Sequence, residues 1–144
     1  MAGSSGASRR RIGVLFGMAT GGLAVLLFQL LVSYSAAMDR SDDGLAWAWL
    51  VTFIGLPLVA YLGARLAPGR PWVTAGAALA ADLALVFTMK AMVLLRLGWV
   101  GAQILAWHLA LVAVTYVAAR AGDRSARPAG PAAAAPPAPT AIGT

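Results

Sequence analysis

Four long apolar runs, separated by short polar segments, are the feature that most constrains the fold of this chain. They are predicted to form helices over residues 12–37, 44–66, 72–95 and 99–119. Each run holds about the 20 residues that an α-helix needs to cross a ~30 Å hydrocarbon core. The sequence therefore predicts an all-α membrane protein whose single domain, residues 12–119, is a four-helix transmembrane bundle.

The composition agrees with this interpretation and excludes several classes of function. Of the 144 residues, 60% are hydrophobic and 11% are charged, against roughly 25% charged residues in a soluble domain. The absence of cysteine excludes thiol oxidoreductases, and a single histidine excludes a haem held by two imidazoles. Nucleophile, phosphate-binding and zinc-protease motifs are absent from the sequence. We therefore expect no enzymatic activity, no cofactor and no metal site.

The two ends of the chain differ from its apolar middle. Residues 1–11 are predicted to form a flexible basic N-terminal tail, and residues 120–144 a disordered Pro/Ala-rich C-terminal tail. The first apolar run also has the layout of a signal sequence, with small residues Ser35-Ala36-Ala37 near its end. Its length favours a retained transmembrane helix, because the apolar segment of a signal sequence holds only ~7–15 residues.

The basic residues indicate how the helices are oriented. If four helices cross the membrane, most arginines fall on one side: Arg9, Arg10, Arg11, Arg65, Arg70, Arg120, Arg124 and Arg127. The positive-inside rule places that side, and with it both termini, in the cytoplasm. Because these residues are scattered at helix ends, the net charge of +6 indicates membrane topology and not binding to nucleic acid.

The aromatic residues agree with an N-in/C-in orientation. The outer interface is marked by Tyr34, Trp47, Trp49 and Trp99, and the inner interface by Tyr61, Trp72 and Tyr116. Trp107 fits neither belt. A strong excess of arginine over lysine, with abundant alanine and glycine, indicates GC-rich coding and hence a bacterial inner (plasma) membrane.

Small residues recur at every fourth position in three of the predicted helices. These small-residue stripes are Gly13, Gly17 and Gly21 in the first helix, Gly76, Ala80 and Ala84 in the third, and Gly98, Ala102, Ala106 and Ala110 at the fourth. Such stripes let the backbone of a neighbouring helix approach closely. That neighbour is either another helix of the same chain or a second subunit.

Two ionisable residues are expected near the middle of the membrane. At 1.5 Å per residue, Asp82 lies about 15 Å from the inner end of the third helix, and His108 about 16 Å from the inner end of the fourth. A short connection makes these helices antiparallel neighbours, so a hydrogen bond between the two side chains is geometrically available. The pair is either a structural bond between helices or a proton-accepting pair of a transporter.

Three further polar residues complete the predicted intramembrane polar site. Lys90, Gln103 and Gln29 lie about 24–27 Å from the inner ends of their helices, by the same rise per residue. Their similar depth predicts a polar cluster in the outer leaflet. Lys90 either extends toward the headgroups or bonds a glutamine; the alternative is a site for an anion or a substrate.

These observations favour a small polytopic membrane protein without catalytic activity. It would act as an accessory or scaffold subunit whose Gly/Ala faces pack, within the lipid bilayer, against a second copy or a larger membrane complex. The alternative is a small proton-coupled transporter or channel that uses Asp82 and His108, and a weaker alternative is a holin-like pore. The sequence identifies neither a substrate nor a partner.

Overall fold

Four helices make up almost all of the chain that the structure describes. The computed structural model describes residues 4–39, 42–90, 96 and 98–127. The helices are α1 (Ser4–Asp39), α2 (Asp42–Leu66), α3 (Pro71–Leu85) and α4 (Trp99–Ala126), and a π-helical segment, Val86–Lys90, continues α3. Within these ranges there is no strand, so the described chain is all-helical, as predicted.

Each helix has the length and composition needed to cross a membrane. The qualifying segments are Ser8–Met38, Ala46–Leu66, Pro71–Thr88 and Trp99–Ala126. Large apolar side chains such as Phe16, Leu27 and Leu109 point outward and are more than half exposed. A water-soluble protein rarely exposes so continuous an apolar surface, whereas lipid tails solvate it readily.

The first helix extends beyond its predicted start. α1 begins at Ser4 and not at residue 12. The segment before residue 12 holds alanine, serine and arginine and no proline, so it continues the helical hydrogen bonding without a break. Residues 4–11, which were predicted to be a flexible tail, are therefore the first turns of α1.

The fourth helix likewise continues past its predicted end at residue 119. α4 ends at Ala126, and Arg127 is extended, with ψ 124°. A residue that precedes a proline is sterically pushed out of the helical region, which explains the end of the helix just before Pro128. The predicted disorder of residues 128–144 lies outside the described residues.

The third helix changes its geometry near its end. The α-helix stops at Leu85, and the wider π-helical turn carries the chain to Lys90. The Thr88 hydroxyl donates a hydrogen bond of 2.7 Å to the Ala84 carbonyl, a contact that often accompanies helix distortion. The rest of the predicted helix, residues 91–95, lies outside the described residues.

A tight turn joins α2 to α3. Gly69 has φ +118°, a backbone conformation that residues with a Cβ rarely adopt. Pro71 then occupies the first position of α3, where its missing N–H leaves no intrahelical bond unmade. The turn therefore reverses the chain within a few residues and places α3 antiparallel to α2.

The helices pack as a rhombus with α2 and α3 on its short diagonal. Both α1 and α4 contact α2 and α3, whereas α1 and α4 do not contact each other in the described part of the chain. One core cluster is centred on Met18, Ala60 and Ala78, and a second on Leu56, Leu79 and Leu111. The predicted contact between α3 and α4 is therefore present.

Glycines outside the predicted stripes bring the helix backbones together. An added Cβ at Gly22 of α1 would collide with the carbonyl oxygen of Ala78 on α3, and one at Gly122 of α4 with that of Tyr61 on α2. Gly55 and Gly63 similarly accommodate the side chains of Val25 and Met18. The closest helix crossings of the bundle are therefore built at these four glycines.

Candidate functional site

Asp82 lies on the face of α3 that points into the bundle. The same face carries Ala75, Ala78 and Leu79, which recur at intervals of three and four residues and are all buried. Asp82 itself is only 3% exposed. A carboxylic group held this deep in apolar surroundings costs free energy unless a partner satisfies it.

His108 supplies that partner from the buried face of α4. It is 5% exposed, and its Nε2 atom lies 3.9 Å from Oδ1 of Asp82. This is an ion-pair distance, longer than the 2.7–3.2 Å of a direct N–H···O hydrogen bond. A shift of about 1 Å, or one bridging water, would complete the hydrogen bond.

The second ring nitrogen of His108 determines its tautomer. Nδ1 lies 2.7 Å from the carbonyl oxygen of Ile104, one turn earlier in α4. A carbonyl only accepts hydrogen bonds, so Nδ1 must carry a hydrogen and donate it. In the neutral ring Nε2 is then an acceptor, and it faces Asp82.

This geometry allows a single proton between the two groups. A carboxylate and a neutral ring with Nδ1–H would place two acceptors opposite each other, which is unfavourable. One added proton resolves this, residing either on Asp82 or on Nε2 of His108. Both positions lie between the two side chains, so either arrangement fits the observed geometry without rotation of either side chain.

An aromatic ring of α2 packs against the imidazole. The ring of Trp49 on α2 meets the ring of His108 edge to face, with centroids 5.7 Å apart. Trp107 lies 6.4 Å from Trp49 and 5.6 Å from Phe53, again between ring centroids. These ring contacts explain why Trp107 fits neither predicted interfacial belt: its side chain, 57% exposed, packs against aromatic side chains of α2 on the surface of the bundle.

The surroundings of the pair differ along the bundle axis. On one side the leucine cluster of Leu56, Leu79 and Leu111 is almost completely buried. On the other side an open groove of about 460 Å³ lies between α2 and α4. Trp49 and Ile104 line this groove, and both also contact His108. The pair therefore lies between a groove and an apolar core.

The remaining residues of the predicted polar site are not gathered around this pair. Gln103 is exposed and lines the groove between α2 and α4. Gln29 is half-buried on α1, a helix that does not contact α4 in the described chain. The side chain of Lys90 lies outside the described residues. The structure thus brings Asp82 and His108 together and keeps Gln29 on a separate helix.

Two donor-bearing side chains alone make an incomplete metal site. Within the described ranges, no group of three or more histidine, cysteine, aspartate or glutamate side chains comes together. A tetrahedral zinc site uses at least three protein ligands. Within those ranges, Asp82 and His108 therefore meet no third side chain of this kind.

The small-residue stripes point mostly outward. An added Cβ at Gly13, Gly17 or Gly76 would meet no other atom within 4 Å, and Ala80 and Ala84 are exposed. Gly21 is the exception, since its added Cβ would lie 3.3 Å from the side chain of Val59. The stripes were predicted to pack either within the chain or against a second subunit. The first alternative is therefore wrong for Gly13, Gly17 and Gly76.

Asp123 is a buried polar residue that sequence reasoning missed. Its Oδ1 accepts a 2.5 Å hydrogen bond from the backbone N–H of Gly69, and its Oδ2 a 2.7 Å bond from Arg127. The carboxylate thereby ties the end of α4 to the turn between α2 and α3. Its spacing of four residues from Arg127 was the available signal, because oppositely charged residues at this spacing meet on one helix face.

Comparison with known proteins does not add to this description. No protein-family model, curated protein or solved structure matches the chain.

Proposed function

We propose that this protein is a non-catalytic, multi-pass membrane subunit that associates with a second copy or a larger membrane complex through its outward-facing small-residue stripes. The observation that carries the proposal is the open space beside Gly13, Gly17 and Gly76. Within a membrane, small residues on an outer helix face favour association, because they allow two backbones to make extensive van der Waals contact.

The shape of the outer surface supports this proposal. Gly13, Gly17 and Gly21 line an open groove of about 500 Å³ between α1 and α2, together with Met18 and Leu62. This groove is wide, shallow and largely apolar, so a helix with a protruding side chain complements it. The second stripe, on α3, gives the chain a second face of the same kind.

The proposed setting is the inner membrane of a bacterium, with both termini in the cytoplasm. The distribution of arginine supports this orientation, as does the return of the chain after four helices. In that orientation, the turn that contains Gly69 and the end of α4 lie at the cytoplasmic surface. A reporter that is active only in the cytoplasm is expected to be active when fused to Thr144. Activity of a reporter that works only outside the cytoplasm would contradict the orientation.

Substitution on the stripes tests the proposed association. We expect Gly17→Leu on α1 and Gly76→Leu on α3 to reduce cross-linked dimer or co-purified partner in mild detergent, because both fill open outer surface. Leu23→Phe is the matched control, since Leu23 is exposed on α1 outside the stripe and the substitution also adds bulk. Unchanged assembly in both glycine variants, with the fold intact, would contradict the proposal.

A second candidate function is proton-coupled transport through Asp82 and His108. The observation that favours it is the pairing of Nε2 with a carboxyl group while Nδ1 is held by Ile104, which leaves one exchangeable proton between the groups. Buried carboxylate and imidazole groups of this kind serve as proton carriers in membrane transporters.

Proton flux into liposomes separates the two candidates. Liposomes that contain the purified protein and an internal pH-sensitive dye are exposed to a pH step. If the pair conducts protons, Asp82→Asn and His108→Ala abolish the flux while assembly is unchanged. If the protein is an accessory subunit, Asp82→Asn leaves assembly nearly unchanged, whereas Gly17→Leu disrupts it. Absence of proton flux from the wild-type protein argues against the transport candidate.

A further inference from the structure

A small pocket at the end of α1 combines two cationic side chains with an apolar floor. It has a volume of about 110 Å³ and lies where α1 meets the turn between α2 and α3. Arg11 of α1 and Arg70 of the turn line it, above Leu15, Pro68 and Val73. A single water needs only about 10–15 Å³ by the same kind of measure, so the pocket has room for a larger polar group.

The guanidinium of Arg11 is held over the turn and has unused donors. Its Nη2 atom lies 3.5 Å from the carbonyl oxygen of Pro68, at the outer limit of a hydrogen bond, and 3.6 Å from where a Cβ on Gly69 would stand. Arginine carries five N–H donors in a planar fork. This weak contact therefore positions the side chain next to Arg70 without saturating it.

The described residues place no carboxylate opposite these two arginines. Among those residues, neither Arg11 nor Arg70 forms an ion pair. The nearest acidic group along the turn is Asp123, whose two oxygens already accept from Gly69 and Arg127. The two guanidinium groups therefore present an uncompensated positive charge to any group that enters the pocket.

The position of the pocket favours an amphiphilic ligand. Ile12 and Phe16 next to it on α1 point outward and are more than half exposed, as is Trp72 at the start of α3. Tryptophan at a helix end is typical of the interface between lipid headgroups and acyl chains. The pocket thus lies where an apolar surface gives way to arginine, at headgroup depth.

We propose that Arg11 and Arg70 bind the phosphate of an anionic phospholipid. The planar guanidinium forks offer paired donors to the phosphate oxygens, and basic pockets between transmembrane helices recognise such headgroups. The first part of an acyl chain lies on Leu15 and Val73. A phosphate in this position bridges α1 to the turn and stabilises the packing of α1 against α3.

Lipid titration tests this site directly. The purified protein in mild detergent is titrated with phosphatidylglycerol and, in parallel, with phosphatidylcholine, and bound lipid is counted by native mass spectrometry. We expect preferential binding of phosphatidylglycerol and a loss of affinity of about tenfold or more in the variant R11A/R70A. Equal binding of the two lipids by the wild-type protein overturns the proposal.

A control variant separates this site from general surface charge. R9A/R65A removes two exposed arginines from the same end of the bundle, and neither residue lines the pocket. We expect it to change the affinity by less than about threefold, since a general surface charge is screened over about 10 Å. An equal loss in R9A/R65A and R11A/R70A contradicts a specific pocket.

Two further measurements keep the outcome decisive. The variant R11K/R70K preserves the charge but loses the planar fork, so we expect intermediate affinity with the fold intact. Inorganic phosphate serves as the soluble competitor and is expected not to displace the lipid at equal concentration, because it makes no contact with Leu15 or Val73. Displacement by inorganic phosphate alone shows a free-anion site and overturns the lipid proposal.

Discussion

Asp82 and His108 face each other across the interface of α3 and α4, with Oδ1 of the acid 3.9 Å from Nε2 of the imidazole. Both side chains are buried, and Nδ1 of His108 is engaged by the Ile104 carbonyl. The two residues are 26 positions apart in sequence and approach only because α3 and α4 run antiparallel. Because of this arrangement, the tautomer of His108 and the energetic coupling between the two side chains can each be measured.

The tautomer of His108 is the first prediction. It is the only histidine in the chain, so ¹⁵N labelling of histidine yields a single pair of ring signals. We expect Nδ1 to carry the hydrogen in the neutral ring, because it donates to the Ile104 carbonyl. Asp82→Asn is expected to leave Nδ1 protonated, since the Ile104 contact is independent of residue 82. A neutral ring with hydrogen on Nε2 would contradict this geometry.

The energetic coupling between Asp82 and His108 is the second prediction. A double-mutant cycle with Asp82→Ala and His108→Ala, measured by unfolding in mixed detergent, should give a coupling of about 0.6 kcal/mol, the average found for polar contacts between membrane helices, and of at most about 1.7 kcal/mol. The value is modest because each group finds other partners in the unfolded state. Strict additivity, within about 0.3–0.5 kcal/mol, would show that the two side chains act independently.

The third prediction concerns the glycines at the helix crossings. Gly22→Ala and Gly122→Ala place a Cβ against a backbone carbonyl, which cannot rotate away, so the helices must separate. We expect each substitution to lower the free energy of unfolding by about 1–3 kcal/mol, the usual range for overpacking. Gly13→Ala and Gly76→Ala are the controls. They should leave the free energy of unfolding of the single subunit unchanged, because no atom of the same chain lies near an added Cβ at either site. A similar loss at all four positions would point to a general sensitivity to glycine replacement.

The fourth prediction concerns the bond between Asp123 and the turn. Asp123→Ala removes the acceptor of the Gly69 N–H and is expected to cost about 1–3 kcal/mol of stability. Asp123→Asn keeps a carbonyl oxygen for that N–H and should be milder. Arg127→Ala should cost at most about 1 kcal/mol, since the Arg127 side chain is 66% exposed and its ion pair is solvated.

Hydrogen exchange at Gly69 provides the residue-level measurement for this bond. The amide should lose protection in Asp123→Ala and keep most of it in Asp123→Asn and Arg127→Ala. If the Gly69 amide exchanges equally in the wild-type protein and in Asp123→Ala, the side-chain bond does not hold the turn.

Several features were predictable because they follow from local chemistry or helix geometry. Apolar run length defines four helices that can cross a membrane, and Pro71 identifies the start of α3. The equal depth of Asp82 and His108 along their helices follows from a constant rise of 1.5 Å per residue and a short connection between the two helices. The end of α4 was also encoded, in Pro128, because the helix continues past the loss of hydrophobicity at residue 119 and stops just before the proline.

By itself, then, the sequence determined which segments are helical and which residues share a depth. Only the tertiary structure decided which face of each helix is inside: Gly22 and Gly122 rather than Gly13 and Gly17 form the close crossings, and Asp123 reaches back to Gly69. The physical reason is the lipid environment. In a water-soluble bundle the buried face is the apolar one, whereas here the outer face is as apolar as the core, so hydrophobic periodicity carries no information about helix rotation.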